Sequence, residues 1–128
     1  MIEKKAIYYC ETCGNIVESM WNGDPSIQCC GEDMQKLEAN TKDAAVEKHV
    51  PAVERQGDTV KVQIGETMHP MDPDHYILNI EAIAGNRIQR QDFVEGDTQP
   101  CAEFTVPAGE PVTVRAFCNK HGLWKAEA

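Results

Sequence analysis

Four cysteines in the first thirty residues, as Cys10-Glu11-Thr12-Cys13 and the adjacent pair Cys29-Cys30, constrain this chain more than any other feature. A segment of under 40 residues buries too little apolar surface to stand as a fold by itself. Four thiolates on one ion would supply the missing free energy. Two thiolates separated by two residues chelate well, and Gly14 behind them lets the backbone turn so that amides aim at sulfur. Four buried structural thiols, the bland alternative, fit poorly in so short a segment. Cys29-Cys30 departs from the second C-x-x-C of an ordinary zinc ribbon. Adjacent cysteines cannot form the same relaxed knuckle, so a distorted tetrahedron is expected, and zinc and iron both remain open. Between the two pairs, Asn15 to Trp21 reads as a strand and Asn22-Gly23-Asp24-Pro25 as a turn. Residues 1–37 thus form a first domain and residues 38–128 a second.

Six cysteines in all need a compartment in which to be read. The opening Met1-Ile2-Glu3-Lys4-Lys5 lacks the apolar core of a signal peptide, and no apolar run is long enough to span a membrane. The expected location is therefore the cytoplasm, where metal binding explains thiols better than disulfides do. The net charge of −9 argues against nucleic acid as a partner. The acidic residues are dispersed, as on a solvated surface. Cys101 has no partner at metal spacing and reads as a lone or buried thiol.

From Val50 onward the pattern is β. Val60, Val62 and Ile64 alternate with Lys61 and Gln63, and Gly65 ends that strand. Tyr76, Leu78, Ile80, Ala82 and Ala84 share one face of the next strand; Ile77, Asn79, Glu81 and Ile83 share the other. Gly85-Asn86 is a two-residue hairpin turn. Gly96-Asp97 begins a loop. Ala102, Phe104 and Val106 alternate before Pro107-Ala108-Gly109 turns the chain. Val112, Val114, Ala116 and Cys118 then alternate with Thr113, Arg115 and Phe117, which puts Cys118 on an inward face. Leu123 to Ala126 adds a last short strand. About seven strands with regular turns predict an antiparallel sandwich. The connection before it carries Thr41 to Val46, which reads as one helical turn capped by Asn40 or Thr41.

The chain has four histidines, and three of them are marked by prolines or turns: His49 before Val50-Pro51, His69 before Pro70, His75 after Pro73-Asp74. The fourth, His121, follows Cys118 by three residues and precedes Gly122. A single histidine is most often a core or surface residue. Four at loop ends beside one thiol suggest a shared ion, although spacing leaves open whether His49 joins the others. Five ligands exceed the four of a structural zinc and suit a redox ion with one open position. Glu47-Lys48, next to His49, is by itself a solvated linker pair. Met68 and Met71 read as loop packing.

Taken in series, Cys10-x-x-Cys13-Gly14, Cys29-Cys30-Gly31, Glu47-Lys48-His49-Val50-Pro51, His69-Pro70-Met71, Asp74-His75-Tyr76 and Cys118-Asn119-x-His121-Gly122-Leu123-Trp124 resemble desulfoferrodoxin, the two-iron form of superoxide reductase. The resemblance covers nearly the whole chain. It implies an all-β protein: a small desulforedoxin-like domain followed by an immunoglobulin-like sandwich. It implies two irons, one on Cys10, Cys13, Cys29 and Cys30, the other on His49, His69, His75 and His121 with Cys118 as axial thiolate. It implies one-electron reduction of superoxide to hydrogen peroxide, with Lys48 guiding the anion and Glu47 ligating the oxidised iron. A small electron-donor protein such as rubredoxin would restore the reduced iron, and family members commonly form homodimers. Two other classes remain: a rubredoxin-like electron-transfer protein using only the four-cysteine site, and a zinc-stabilised interaction module.

Overall fold

The computed structural model describes residues 1–42, 49–94 and 99–128. These residues fall into two units, Met1–Glu38 and Ala39–Ala128.

In the first unit, β1 (Ile7–Tyr9) lies between β2 (Ile16–Glu18) and β5 (Gln35–Lys36), all antiparallel. The strand expected over Asn15–Trp21 is shorter than that reading. Its regular ladder ends at Ile7↔Glu18; beyond it Lys5, at φ 71, breaks the pairing geometry while its amide still donates to the Ser19 carbonyl at 2.7 Å. A second ribbon pairs β3 (Gln28–Cys29) with β4 (Glu32–Asp33). The buried set is small, Ile2, Ile7, Tyr8, Cys10 and Met34, as expected of a unit that depends on a bound ion.

The second unit has seven strands among the described residues: β6 (Pro51–Gln56), β7 (Thr59–Ile64), β8 (Ile77–Ala84), β9 (Arg87–Asp92), β10 (Cys101–Thr105), β11 (Thr113–Cys118) and β12 (Gly122–Glu127). They form two antiparallel sheets, ordered β10-β7-β6 and β12-β11-β8-β9. Both sheets give their inner residues to one core: Val60, Val62 and Ile64 with Phe104 from the first, Ile77, Ile80, Val112 and Val114 from the second. Each such side chain contributes about 1.5–3 kcal/mol on full burial. The inward placement of 112, 114, 116 and 118 holds, with all four residues at most 1% exposed, although Arg115 and Phe117 between them are buried as well. The hairpin at Gly85-Asn86 also holds, closing Ala84↔Arg87 with Gly85 at φ 58.

One strand departs from simple alternation. Tyr76 is 37% exposed while Ile77 and Ile80 are at most 1% exposed. In the β8–β11 ladder Cys118 faces Ile77 and Phe117 faces Asn79, so Leu78 is an extra residue on β8. Such a bulge exchanges the two faces of a strand at that point. Tyr76 and Leu78 therefore lose the core positions that strict alternation predicts for them, and Ile77 gains one beside Cys118.

The helical turn expected over 41–46 lies mostly outside the described residues. Asn40, just before it, bridges to Trp124, and its side-chain amide donates to the Leu123 carbonyl at 3.3 Å. The loop expected from Gly96-Asp97 also falls outside them.

Candidate metal centres

The first centre is built by two turns in the Met1–Glu38 unit. The Gly14 amide donates to the Cys10 carbonyl at 2.8 Å and the Cys10 amide to Asn15 at 2.9 Å, which closes the knuckle. Gly14 sits at φ 82, where a side chain would be strained. On the other side Cys30 takes φ 53, unusual for any residue with a Cβ. That is how two adjacent cysteines turn toward one point. The sulfurs of Cys10, Cys13, Cys29 and Cys30 all lie within 4.8 Å of one another. Cys13 and Cys29 are 3.4 Å apart, Cys29 and Cys30 4.0 Å. A tetrahedral ion bound about 2.3 Å from each sulfur has edges of about 3.8 Å, so the cluster has the right size. The thiols are free, and Asn15 donates its amide to Cys29 Sγ at 3.5 Å. The Cys13 backbone amide draws the Cys10 thiol down to about 7. Contacts with the Cys13 and Cys10 side chains push Cys30 up to about 12.

The second centre lies in the Ala39–Ala128 unit, where β11 ends. Cys118 is fully buried there, opposite Gly122 across a three-residue loop. Gly122 takes φ 84, which a residue with a side chain reaches only at a cost. That hairpin returns His121 to its thiol, with Nδ1 3.8 Å from Cys118 Sγ. His49 precedes β6, and its Nε2 lies 3.1 Å from His121 Nδ1. His75 precedes β8, in a turn closed by paired backbone bonds with Asp72. The ligand atoms of His49, His75, Cys118 and His121 are mutually within 4.8 Å. His69 stands beside this group, with Nε2 3.5 Å from Cys118 Sγ and its ring centroid 4.6 Å from that of His49 and 4.5 Å from that of His75. Its Nδ1 contacts the Pro70 carbonyl at 2.7 Å, and donation there leaves the Nε2 lone pair facing the sulfur. Nitrogens bound about 2.1 Å from one ion at right angles lie about 3.0 Å apart, so this donor set matches a shared ion.

His49, His69 and His75 are buried, whereas His121 is exposed, so the centre reaches the surface on the His121 side. Three buried imidazoles in contact are hard to explain as packing. Trp124 stacks on His49 with centroids 4.7 Å apart and planes 17° apart. The sequence predicts a short last strand for it; its face, shared with Ala116 and Cys118, and its contact with His49 come from the structure.

Glu47 and Lys48 lie outside the described residues. Cys101 belongs to neither centre: it pairs with Gln63 in the other sheet, half-buried, with burial raising its thiol pKa. No helix among the described residues is long and apolar enough to cross a membrane.

Residues 41–127 match the desulfoferrodoxin family, and residues 2–37 match the desulfoferrodoxin N-terminal domain. The chain is 46% identical over 127 residues to a desulfoferrodoxin of Syntrophotalea carbinolica, covering 99% of both. It is 35% identical over 98 residues to a superoxide reductase of Pyrococcus horikoshii, covering 63% of this chain and 85% of that one. Among solved structures, the superoxide reductase from Treponema pallidum superposes with a TM-score of 0.74 at 28% identity, covering 94% of this chain and 96% of that one.

Proposed function

The chain belongs to the desulfoferrodoxin family, and from that premise we propose that it is a superoxide reductase, turning superoxide into hydrogen peroxide without releasing dioxygen. Each superoxide takes up one electron and two protons. The observation that carries this reading is the convergence of four histidines on the buried sulfur of Cys118. Cys10, Cys13, Cys29 and Cys30 would hold one iron; His49, His69, His75, His121 and Cys118 would hold the other. Iron held by these five residues would supply the electron. The residues do the rest. Neutral imidazoles leave the centre cationic, and the Cys118 sulfur adds electron density from the buried side. The exposed flank at His121 admits the substrate.

Lys48 would offset the acidic surface and draw superoxide in, while the Glu47 carboxylate would be available as a ligand once the iron is oxidised. A small electron-donor protein restores the reduced state, and rubredoxin is the donor we assign. The protein works in the cytoplasm as a homodimer. The first domain, residues 1–37, carries the four-cysteine iron; the second, residues 38–128, carries catalysis.

Pulse radiolysis of the reduced protein tests the activity, with one hydrogen peroxide expected per superoxide and no dioxygen. If superoxide is left untouched while the four-cysteine centre still exchanges electrons, the chain is an electron-transfer protein instead. The same method separates Lys48 from Glu47. Lys48→Ala should slow the encounter and flatten its dependence on salt, because part of the steering is electrostatic. Glu47→Ala should leave the encounter rate nearly unchanged and alter the spectrum of the oxidised iron. Wild-type speed in Lys48→Ala at low salt would remove that assignment.

The two centres draw on different segments, so they should be separable. Cys13→Ser is expected to disturb the first spectrum and leave the second, with its superoxide reaction, in place. Loss of that reaction in a folded, pre-reduced variant would show that the centres are coupled.

A further inference from the structure

We propose that Asn119 and Trp124 are positioning residues of the histidine centre, holding three of its four histidines in ligating pose before an ion arrives. This rests on the reading above that these histidines and Cys118 ligate iron. The ligands come from separate stretches of chain, at 49, 69, 75 and 118–121, and only the last lies in a hairpin. From that hairpin Asn119 reaches the His75 segment and Trp124 reaches His49.

Asn119 ties down the His75 segment. Its side-chain amide donates to the Asp74 carbonyl at 3.0 Å, and its Oδ1 accepts the Tyr76 amide at 2.8 Å. Its backbone amide donates to the Tyr76 carbonyl at 3.1 Å. These bonds bracket His75 on both sides and fasten it one residue from Cys118. The task needs a donor and an acceptor on one short planar group, which asparagine has and aspartate lacks.

Trp124 ties the other two. Its indole lies flat on His49, and its Nε1–H donates to the His121 carbonyl at 3.1 Å. It is 7% exposed and sits on the core face of β12, directly opposite Ala116. The small methyl of Ala116 leaves room for the indole. His69 is the exception, since its ring is held by its own neighbour Pro70. Groups that orient metal ligands lower the entropy lost on binding, and removing one typically costs about 10–100-fold in metal affinity.

The test is iron retention in the full chain. Reduced protein is incubated with a ferrous chelator, and aliquots are reoxidised to read the charge-transfer band of the histidine centre. The band of the four-cysteine centre in the same molecule serves as control. Asn119→Ala and Trp124→Leu should release histidine-centre iron about 10–100-fold faster. The control band should decay at the wild-type rate, and Asn119→Ala should unfold near the wild-type temperature. Trp124→Phe, which keeps a stacking ring and loses the N–H, should fall between wild type and Trp124→Leu. Asn119→Asp, which keeps the acceptor only, should fall between wild type and Asn119→Ala. Asn119 is exposed, so its variants fold even if Trp124→Leu does not. Wild-type release from both Asn119→Ala and Trp124→Phe would overturn the inference, as would faster release from both centres in step. A wild-type protein with no iron at the histidine centre would overturn the site reading and this inference with it.

Discussion

Cys118→Ser is expected to abolish the sulfur-to-iron charge-transfer band of the histidine centre and to cripple superoxide reduction. The loss should exceed the about 10–100-fold that follows removal of a group merely orienting a ligand. Cys118 is the thiol in contact with His69 and His121, and it is fully buried at the end of β11. A serine hydroxyl there is a harder and weaker donor than a thiolate. The protein should still fold, because the neighbouring core of Ile77, Val114 and Ala116 is untouched. The four-cysteine spectrum should persist. Visible absorption and pulse radiolysis of the variant decide the matter, and a surviving charge-transfer band would mean that another thiol ligates the iron. Cys101 is a poor substitute, since it pairs with Gln63 on the opposite sheet.

Glu81→Ala is expected to destabilise the sandwich by about 3–5 kcal/mol, the usual consequence of removing one member of a buried ion pair. Glu81 and Arg115 face each other across β8 and β11. One carboxylate oxygen takes Nη2 at 2.8 Å and Nε at 3.1 Å. Both residues are buried, Glu81 to 2% exposure. Without the carboxylate, the guanidinium keeps its desolvation cost and loses the Glu81 counter-charge. In a unit of this size each kcal/mol is worth about 4–8 °C in Tm. Denaturant unfolding should show the loss, and Glu81→Leu with Arg115→Met should recover most of it, because an apolar pair carries no stranded charge. A loss below about 1 kcal/mol in Glu81→Ala would place the pair in effective contact with water.

Charge on this face was not read as structural from the sequence. Glu81 and Arg115 fell on the side of their strands opposite the core, where alternation predicts solvent. Their burial depends on what lies over that face, and the local period of a strand carries no information about it. The same limit explains the error at Tyr76 and Leu78. Period-2 reading assumes an unbroken ladder, whereas a bulge is set by how β11 pairs with β8, from residues some 40 positions apart.

What the chain determines by itself is the chemistry of its donors and the local geometry that presents them. Thiol and imidazole identity, the Cys10-x-x-Cys13 knuckle and the inward face of Cys118 follow from side-chain type and from periods of two or three residues. So does the sandwich, because alternating strands bury one face wherever they pair. Only the tertiary structure decides that His49, His69 and His75 reach the sulfur of Cys118, since their stretches are joined by loops whose closure no local pattern encodes. It alone brings Nδ1 of His121 and Nε2 of His49 to 3.1 Å from each other. It alone places Asn119 and Trp124 against the histidines they hold. Those contacts cross between strands and loops distant in sequence, and packing rather than propensity chooses them.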